Sequence, residues 1–465
     1  MILNKGLRGT CAQCLRNWST SSVVFLEKQS KYAVTPDENV LKDLRDEVYK
    51  PRKHPGVMKE SATVMPEGFV KAALNTVADY PVKALVESGN TLSRHLKGRV
   101  PPMERTQILR KYEQVRDKVL RQHLDREITS QEEERRFRQM SKDKIDNIMR
   151  EKIYNWKPMR YDVYSSLAYL LVRAPAEYAV LRRILGEIAR RDPEFTPRSL
   201  FDFGSGVGTV TWAANFYWKN QIYEYFNVDC SSDMNDLAQV LLQGGRGNAP
   251  SSLKGAFFRQ FLPASNVGYD LVASAYSMME LPSMETRLDT ILNLWNKTQK
   301  YLVVVEQGTN AGFKVINEIR DFILQIDKEG SVGHVFAPCP HDQSCPRYVR
   351  DDGTPCNFEV RYWTMPVGQK SECRTERYCY VVLRKGKRED SDQPKWPRLV
   401  RPTLVKSKHT LCRICSCKGQ LEDVIFTKKK HGKLTYHCAR ASRWGDLLPI
   451  TLETNEEINN KDTED

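Results

Sequence analysis

Nowhere in the 465 residues is there a run approaching the roughly 20 apolar positions that a membrane-spanning helix needs, which excludes such a helix. Acid is missing from the start, since no Asp or Glu precedes Glu27. The longest apolar run there is the short Val23 to Leu26, too short for a secretory signal. No internal repeat recurs at a solenoid period. Beyond the first 26 residues, Cys412-x-x-Cys415 is the only C-x-x-C hook, whereas structural zinc usually takes two.

Basic residues fill the space that acid leaves. Lys5, Arg8 and Arg16 share the first 26 residues with an apolar stripe of Ile2, Leu3, Leu7, Cys11, Cys14, Leu15 and Trp18 at helical spacing. A cationic amphipathic segment of this kind reads as a mitochondrial transit peptide over 1–26 and predicts a soluble protein of the mitochondrial matrix, with no membrane partner. Residues 27–159 read as a mainly helical region. Within it, the stretch from Met103 to Trp156 is charged, nearly free of glycine and proline, and carries one narrow apolar stripe that includes Ile108, Val115 and Val119. The length allows two or three domains.

The segment Ser199 to Ala214 runs from an apolar strand through Asp202, Gly204, Gly206 and Gly208 into a helix. Glycines at the carboxyl end of a parallel strand let a nucleotide-like ligand lie against the backbone, with a helix N-terminus behind it. A second strand ends at Asp229, 27 residues after Asp202, where an acid would grip a ribose diol. The D-x-G-x-G-x-G spacing resembles the first motif of Rossmann-like methyltransferases that bind S-adenosylmethionine. Later segments alternate strand and helix, with Val303, Val304 and Val305 at the centre of a buried strand. The expected fold is therefore α/β, a doubly wound Rossmann-like core over 160–385 with a cysteine-bearing insertion at 336–356. Its last two strands, from Asn357 and from Arg377, are expected to be antiparallel.

A catalytic centre is not visible. Where amino-group methyltransferases carry Asn or Asp followed by Pro-Pro and an aromatic ring, this chain has Ser274, Ala275, Tyr276 and Ser277. No cysteine between Cys230 and Cys339 offers the nucleophile of a cytosine carbon methyltransferase. Tyr276 and Glu280 are the remaining weak candidates for an active enzyme, and cofactor binding is better supported than methyl transfer.

Residues 384–443 hold 17 Lys plus Arg against 5 acids, interleaved with Trp396, His409, Phe426, Tyr436, His437 and Trp444. This reads as a polyanion-binding surface with aromatic faces for stacking, and Lys428, Lys429 and Lys430 are its densest run. The segment 386–450 is thus a basic, cysteine-containing extension, followed by an acidic disordered tail over 451–465. Cys339, Cys345 and Cys356 lie in proline-flanked loops with five and ten residues between them, and Cys412, Cys415 and Cys417 follow. Cys379 and Cys230 read instead as small apolar residues of strands. Loop cysteines in a reducing compartment point to a metal, and these spacings suit an iron-sulfur cluster better than zinc, with the fourth ligand from the 412–417 hook. His341, His409, His437 and Cys438 are reserve ligands.

Taken together, "FDFGSGVGT", "SAYSMMELP", "VVVEQGTNAGF", "CPHDQSCP", "CRICSC" and "RASRWGDLLP" resemble the mitochondrial ribosome-assembly methyltransferase-like family, the family of methyltransferase-like protein seventeen, which has a homologue among yeast mitochondrial small-subunit proteins. The resemblance covers most of residues 40–450. It implies association with small-subunit ribosomal RNA, ribosomal proteins and other assembly factors. It also implies a 4Fe-4S cluster on Cys339, Cys345, Cys356 and Cys415, with Cys412 and Cys417 in reserve, and a retained S-adenosylmethionine fold without methyl transfer. An active rRNA methyltransferase and a zinc-stabilised RNA-binding module are the alternatives.

Overall fold

The computed structural model describes residues 32–58, 60–122, 130–153, 156–263, 267–326, 332–368, 370–388 and 395–454. The transit segment expected over 1–26 lies outside the described residues, and of the disordered tail expected over 451–465, residues 451–454 are strand instead while those beyond 454 lie outside the described residues.

The strands are β1 (Tyr32–Pro36), β2 (Ser199–Phe203), β3 (Glu224–Val228), β4 (Ala256–Arg259), β5 (Tyr269–Ala275), β6 (Thr298–Gln307), β7 (Gly333–Ala337), β8 (Phe358–Trp363), β9 (Cys373–Lys385), β10 (Arg398–Leu399), β11 (Leu404–Val405), β12 (His409–Cys415), β13 (Leu421–Thr427) and β14 (Ile450–Thr454). The helices of the N-terminal region are α1 (Glu38–Arg45), α2 (Glu67–Thr76), α3 (Val82–Gly98), α4 (Arg105–Arg121) and α5 (Gln131–Lys152). Then come α6 (Val163–Val172), α7 (Ala174–Arg191), α8 (Thr209–Trp218), α9 (Ser232–Leu242), α10 (Met284–Lys297), α11 (Asn310–Gln325), α12 (Pro346–Arg350), α13 (Lys428–His431) and α14 (Lys433–Ala441). β1 pairs with β14 in a two-stranded ladder. Residues 36–451 make up the larger compact unit.

The central sheet runs β4-β3-β2-β5-β6-β9-β7, with β8 also on β9. Its first five strands are parallel and β9 is antiparallel to β6. This is the Rossmann-like, doubly wound α/β fold that the alternation of strands and helices predicts. Successive residues of β6 face opposite layers, Val303 and Val305 with α7 and α8, Leu302 and Val304 with α10 and α11, and all four are fully buried. Each such side chain contributes roughly 1.5 to 3 kcal/mol, so the sheet centre is the main source of stability. β7 and β8 lie end to end along one edge of β9, pairing with its residues 382–385 and 373–378. The cysteine loop leaves through the gap between them.

The chain between Met103 and Trp156 is not one long helix. α4 and α5 close their narrow stripes on each other through Val115, Val119, Ile145 and Met149, since one helix alone would leave that stripe in water. A second small sheet carries β10 and β11 on one edge of β12 and β13 on the other. Its core uses Trp396, Phe426 and Tyr436, which are buried and not available for the stacking expected of them. Cys379 is buried in β9, but Cys230 lies past the end of β3 and is exposed.

Candidate cofactor sites

The strand order reverses at β2, between β3 and β5, and a doubly wound sheet opens its ligand crevice at such a switch point. Gly204, Gly206 and Gly208 follow β2 with φ of 72°, 50° and 78°, in the left-handed region that glycine enters freely. A Cβ on Gly204 would strike Ser277 Oγ, whereas one on Gly206 would point into open space. Asp229 holds this turn, because its Oδ2 accepts from Gly206 N at 2.9 Å and its Oδ1 from Ser231 N at 2.9 Å. Both carboxylate oxygens of Asp202 are buried with no hydrogen-bond partner among the described residues. Burial, reinforced by Asp229 and Glu177, pushes the Asp202 carboxyl well above the usual range. An orphaned buried acid beside an open glycine turn could hold a ligand that brings both an ammonium group and a ribose, as S-adenosylmethionine does.

Beyond the turn, a buried polar network surrounds Tyr276. Tyr276 leaves β5 with φ of 60°, an unusual conformation for a tyrosine, and its hydroxyl is buried without a hydrogen-bond partner among the described residues. The Arg173 guanidinium lies 5.4 Å from the Tyr276 ring centroid and donates to Glu376 at 2.9 Å. Glu376 takes a second cation, Lys97 at 2.8 Å, and Glu177 accepts from Tyr169 at 2.5 Å. Burial lifts Glu177 to about 7 despite Arg173. Glu280 is held in turn by Arg99 Nη2 at 2.8 Å and by Met159 N at 3.2 Å. The cavity left among Tyr276, Glu280 and these neighbours is about 20 Å³, enough for roughly one water. Sequence reasoning missed this network. Its signal is the charge at Arg173 and Glu177 inside the apolar run of α6 and α7.

Cys339, Cys345, Cys356 and Cys415 are within electrostatic reach of one another. Burial and then Cys339 push the Cys345 thiol up to about 11. Burial raises Cys356 and Cys415 as well, and each of the two feels Cys339 and Cys345. Arg320 lies near Cys339 and Cys345 and donates to His341 O at 3.2 Å. Arg398 Nε donates to Pro338 O at 2.9 Å, which ties the start of the loop to β10. Among the described residues, no group of three or more His, Cys, Asp or Glu side chains closes around a single ion position. Zinc requires that all its thiolates lie about 2.3 Å from one point. The chemistry of a cluster is less demanding here, because its thiolates bind different irons and stand further apart.

The other candidates lie apart from this group. Cys412 is buried and directs its Sγ to Ala439 O at 3.7 Å, while Cys438 is buried in α14. Cys417 is half-buried on a cavity of about 570 Å³ that Cys339 and His341 also line. His409 is exposed at the start of β12, and His437 packs at 5.3 Å on Tyr436. Lys428, Lys429 and Lys430 form the exposed α13, with Lys428 Nζ 5.7 Å from the Tyr436 ring centroid.

The profile of a family described as mitochondrial small ribosomal subunit Rsm22 matches residues 163–449, which is more than half of the chain. The chain belongs to the Rsm22 family. Over 404 residues, 86% of both chains, this Rsm22-family chain is 34% identical to the Homo sapiens protein named ribosome assembly protein METTL17, mitochondrial. It is 20% identical over 295 residues to Saccharomyces cerevisiae ribosome assembly protein RSM22, mitochondrial, covering 42% of this chain and 46% of the yeast protein. Among solved structures, magnesium protoporphyrin IX methyltransferase from Synechocystis PCC 6803 aligns at a TM-score of 0.30 and 11% identity, covering 52% of this Rsm22-family chain and 94% of that one. The fold assignment rests on the strand order itself.

Proposed function

We propose that this Rsm22-family chain is an assembly factor of the small ribosomal subunit in the mitochondrial matrix, one that binds ribosomal RNA and does not transfer methyl groups. The non-enzymatic reading is supported by the tight packing around Tyr276 and Glu280, the two candidate catalytic residues. A cavity of about 20 Å³ behind Tyr276 cannot admit a nucleobase, and Glu280 is committed to Arg99 and Met159. The names of the human and yeast relatives support the assembly role and the compartment. The segments proposed are a helical region over 27–159, a Rossmann-like core over 160–385 and a basic extension over 386–450.

Two cofactors belong to this reading. Gly204, Gly206, Gly208, Asp202 and Asp229 would hold S-adenosylmethionine, with Asp202 meeting its ammonium group. Cys339, Cys345, Cys356 and Cys415 would hold a 4Fe-4S cluster, which when bound crosslinks the loop after β7 to the end of β12. The proximity of four cysteines, Cys345 and Cys415 buried and Cys339 and Cys356 half-buried, favours that assignment, because as thiolates they would need a cationic centre between them. The chain's own contribution is to present these loops, with Arg320 and Arg398 anchoring their backbone at His341 O and Pro338 O.

Gradient sedimentation of the full chain with mitochondrial small subunits, beside transfer of labelled methyl from S-adenosylmethionine to their RNA, tests the reading. Co-sedimentation without methyl incorporation is expected. Incorporation that disappears in Tyr276→Phe or Glu280→Gln would overturn it in favour of an rRNA methyltransferase. Stoichiometric zinc without iron would turn the cysteine site over to a zinc-stabilised RNA-binding module.

A further inference from the structure

A cavity of about 510 Å³, separate from both cofactor sites, opens between the segment before α2, β8 and the end of α14. This is within the range of a ligand site, roughly 300 to 1,000 Å³. Arg52, Arg361, Arg440 and Arg443 line it, together with Glu60, Glu359 and Trp444. Arg52, Arg361 and Arg443 are exposed and make no ion pair among the described residues. Glu60 is turned to other work, since it faces Arg182 at 3.8 Å and Arg190 at 3.9 Å. The indole N–H of Trp444 is buried with no acceptor among the described residues, and Arg401 and Arg377 stand 5.6 and 5.8 Å from its ring centroid.

Arginines outnumber carboxylates in this lining, and although Arg361 Nη2 donates to Cys373 Sγ at 3.2 Å and Arg440 Nη1 to Lys406 O at 2.7 Å, their remaining N–H groups are left for phosphate oxygens, which guanidinium meets with two parallel hydrogen bonds. We infer that this cavity takes the sugar-phosphate backbone of single-stranded RNA, with Arg52, Arg361, Arg440 and Arg443 on phosphates and the Trp444 N–H donating to the nucleotide seated deepest. Continuity argues for a strand over a free nucleotide. Arg440 and Arg443 belong to the basic segment 384–443, and the exposed Pro402 and Val405 extend the rim with apolar surface for a sugar or base. The inference rests on the RNA-binding reading above and moves its main contact from the α13 lysines to arginines brought together only by the fold.

The test measures fluorescence anisotropy of a labelled oligouridylate with the full chain at several salt concentrations. Arg361→Glu with Arg443→Glu should weaken binding roughly tenfold or more and flatten the salt slope by about one for each phosphate that is no longer neutralised. Trp444→Phe keeps an aromatic ring, removes the donor with the pyrrole half of the indole and should cost about threefold. Lys83→Glu with Lys254→Glu, a charge-matched exposed pair, should cost much less, and circular dichroism checks that every variant folds. Equal losses in the arginine and control pairs would overturn the cavity by showing that only net charge matters. Wild-type binding lost in Lys428→Glu with Lys429→Glu and kept in the arginine pair would overturn the cavity while leaving RNA binding intact. Uridine monophosphate that displaces the oligonucleotide at equal site occupancy would replace the strand with a free nucleotide. No wild-type binding at all would remove the RNA reading itself, and the cavity assignment with it.

Discussion

Cys415 Sγ, at the end of β12, lies 3.4 Å from Nε2 of His341 in the loop that follows β7. The contact joins the small C-terminal sheet to the edge of the central sheet across 74 residues of sequence. Burial holds His341 neutral, with its pKa lowered to about 4, so the ring offers a hydrogen bond and not a charge. The two segments are therefore already docked where the cysteines meet. A cofactor there would lock an existing junction.

Cys345→Ser and Cys415→Ser should each lose iron and sulfide on anaerobic purification, together with the broad visible absorbance of a thiolate-bound cluster. Cys412→Ser should keep its iron, because that thiol is buried against Ala439 O and is not among the charges that Cys345 or Cys415 feels. Cys417→Ser should keep it as well. Iron retained in full by Cys345→Ser would show that the ligand set is wrong. S-adenosylmethionine binding should survive in all four variants, since the glycine turn lies at the end of β2.

Gly206→Val should abolish S-adenosylmethionine binding in calorimetry while leaving the chain folded. The added side chain would occupy the open space above the turn, and valine is strained at φ of 50°. Asp229→Ala acts twice, removing a carboxylate from the ribose position and releasing Gly206 N, so a loss on the order of 1.5 to 3 kcal/mol in binding is expected. Unchanged affinity in both variants would remove the ligand from this turn.

Much of the fold could be read along the chain because its signals are local. The β2 glycine turn, the valines of β6 and the antiparallel β8 and β9 each announce themselves within about a dozen residues. Cys339, Cys345 and Cys356 stand out in sequence as thiols in proline-flanked loops, whereas Cys415 is singled out from the 412–417 hook only by the family resemblance. The network around Tyr276 was not legible, because Lys97, Arg173 and Glu376 come from α3, the start of α7 and β9, and nothing local signals their meeting. The aromatic residues of the basic segment misled for the same reason. Trp396, Phe426 and Tyr436 look like stacking platforms in sequence, but the fold buries them.

Glu187→Gln should destabilise the chain by about 3 to 5 kcal/mol in chemical denaturation, because it leaves buried cations uncompensated. Burial raises this carboxyl, but Arg398, Arg191 and Arg183 overcome it and hold it well below the usual range. Arg398 Nη1 donates to it at 3.1 Å and Arg191 Nη1 at 2.8 Å. A midpoint within error of wild type would show that the arginines find other partners.

His54 sets an acid limit on stability. Its Nδ1 accepts from Gly56 N at 3.2 Å and its Nε2 lies 2.8 Å from Ser442 Oγ, so the neutral ring with its proton on Nε2 fits both contacts. Burial lowers its pKa from 6.5 to about 4. The unfolded chain therefore takes up this proton first as pH falls, and the sign follows: the stabilisation is complete above about pH 6.5 and is lost progressively between there and pH 4. His54→Gln, which keeps a donor but does not titrate, should be less stable than wild type at pH 7.5 and lose less on going to pH 5, a difference on the order of 1 to 2 kcal/mol. Parallel pH profiles for the two proteins would assign the acid sensitivity to other groups.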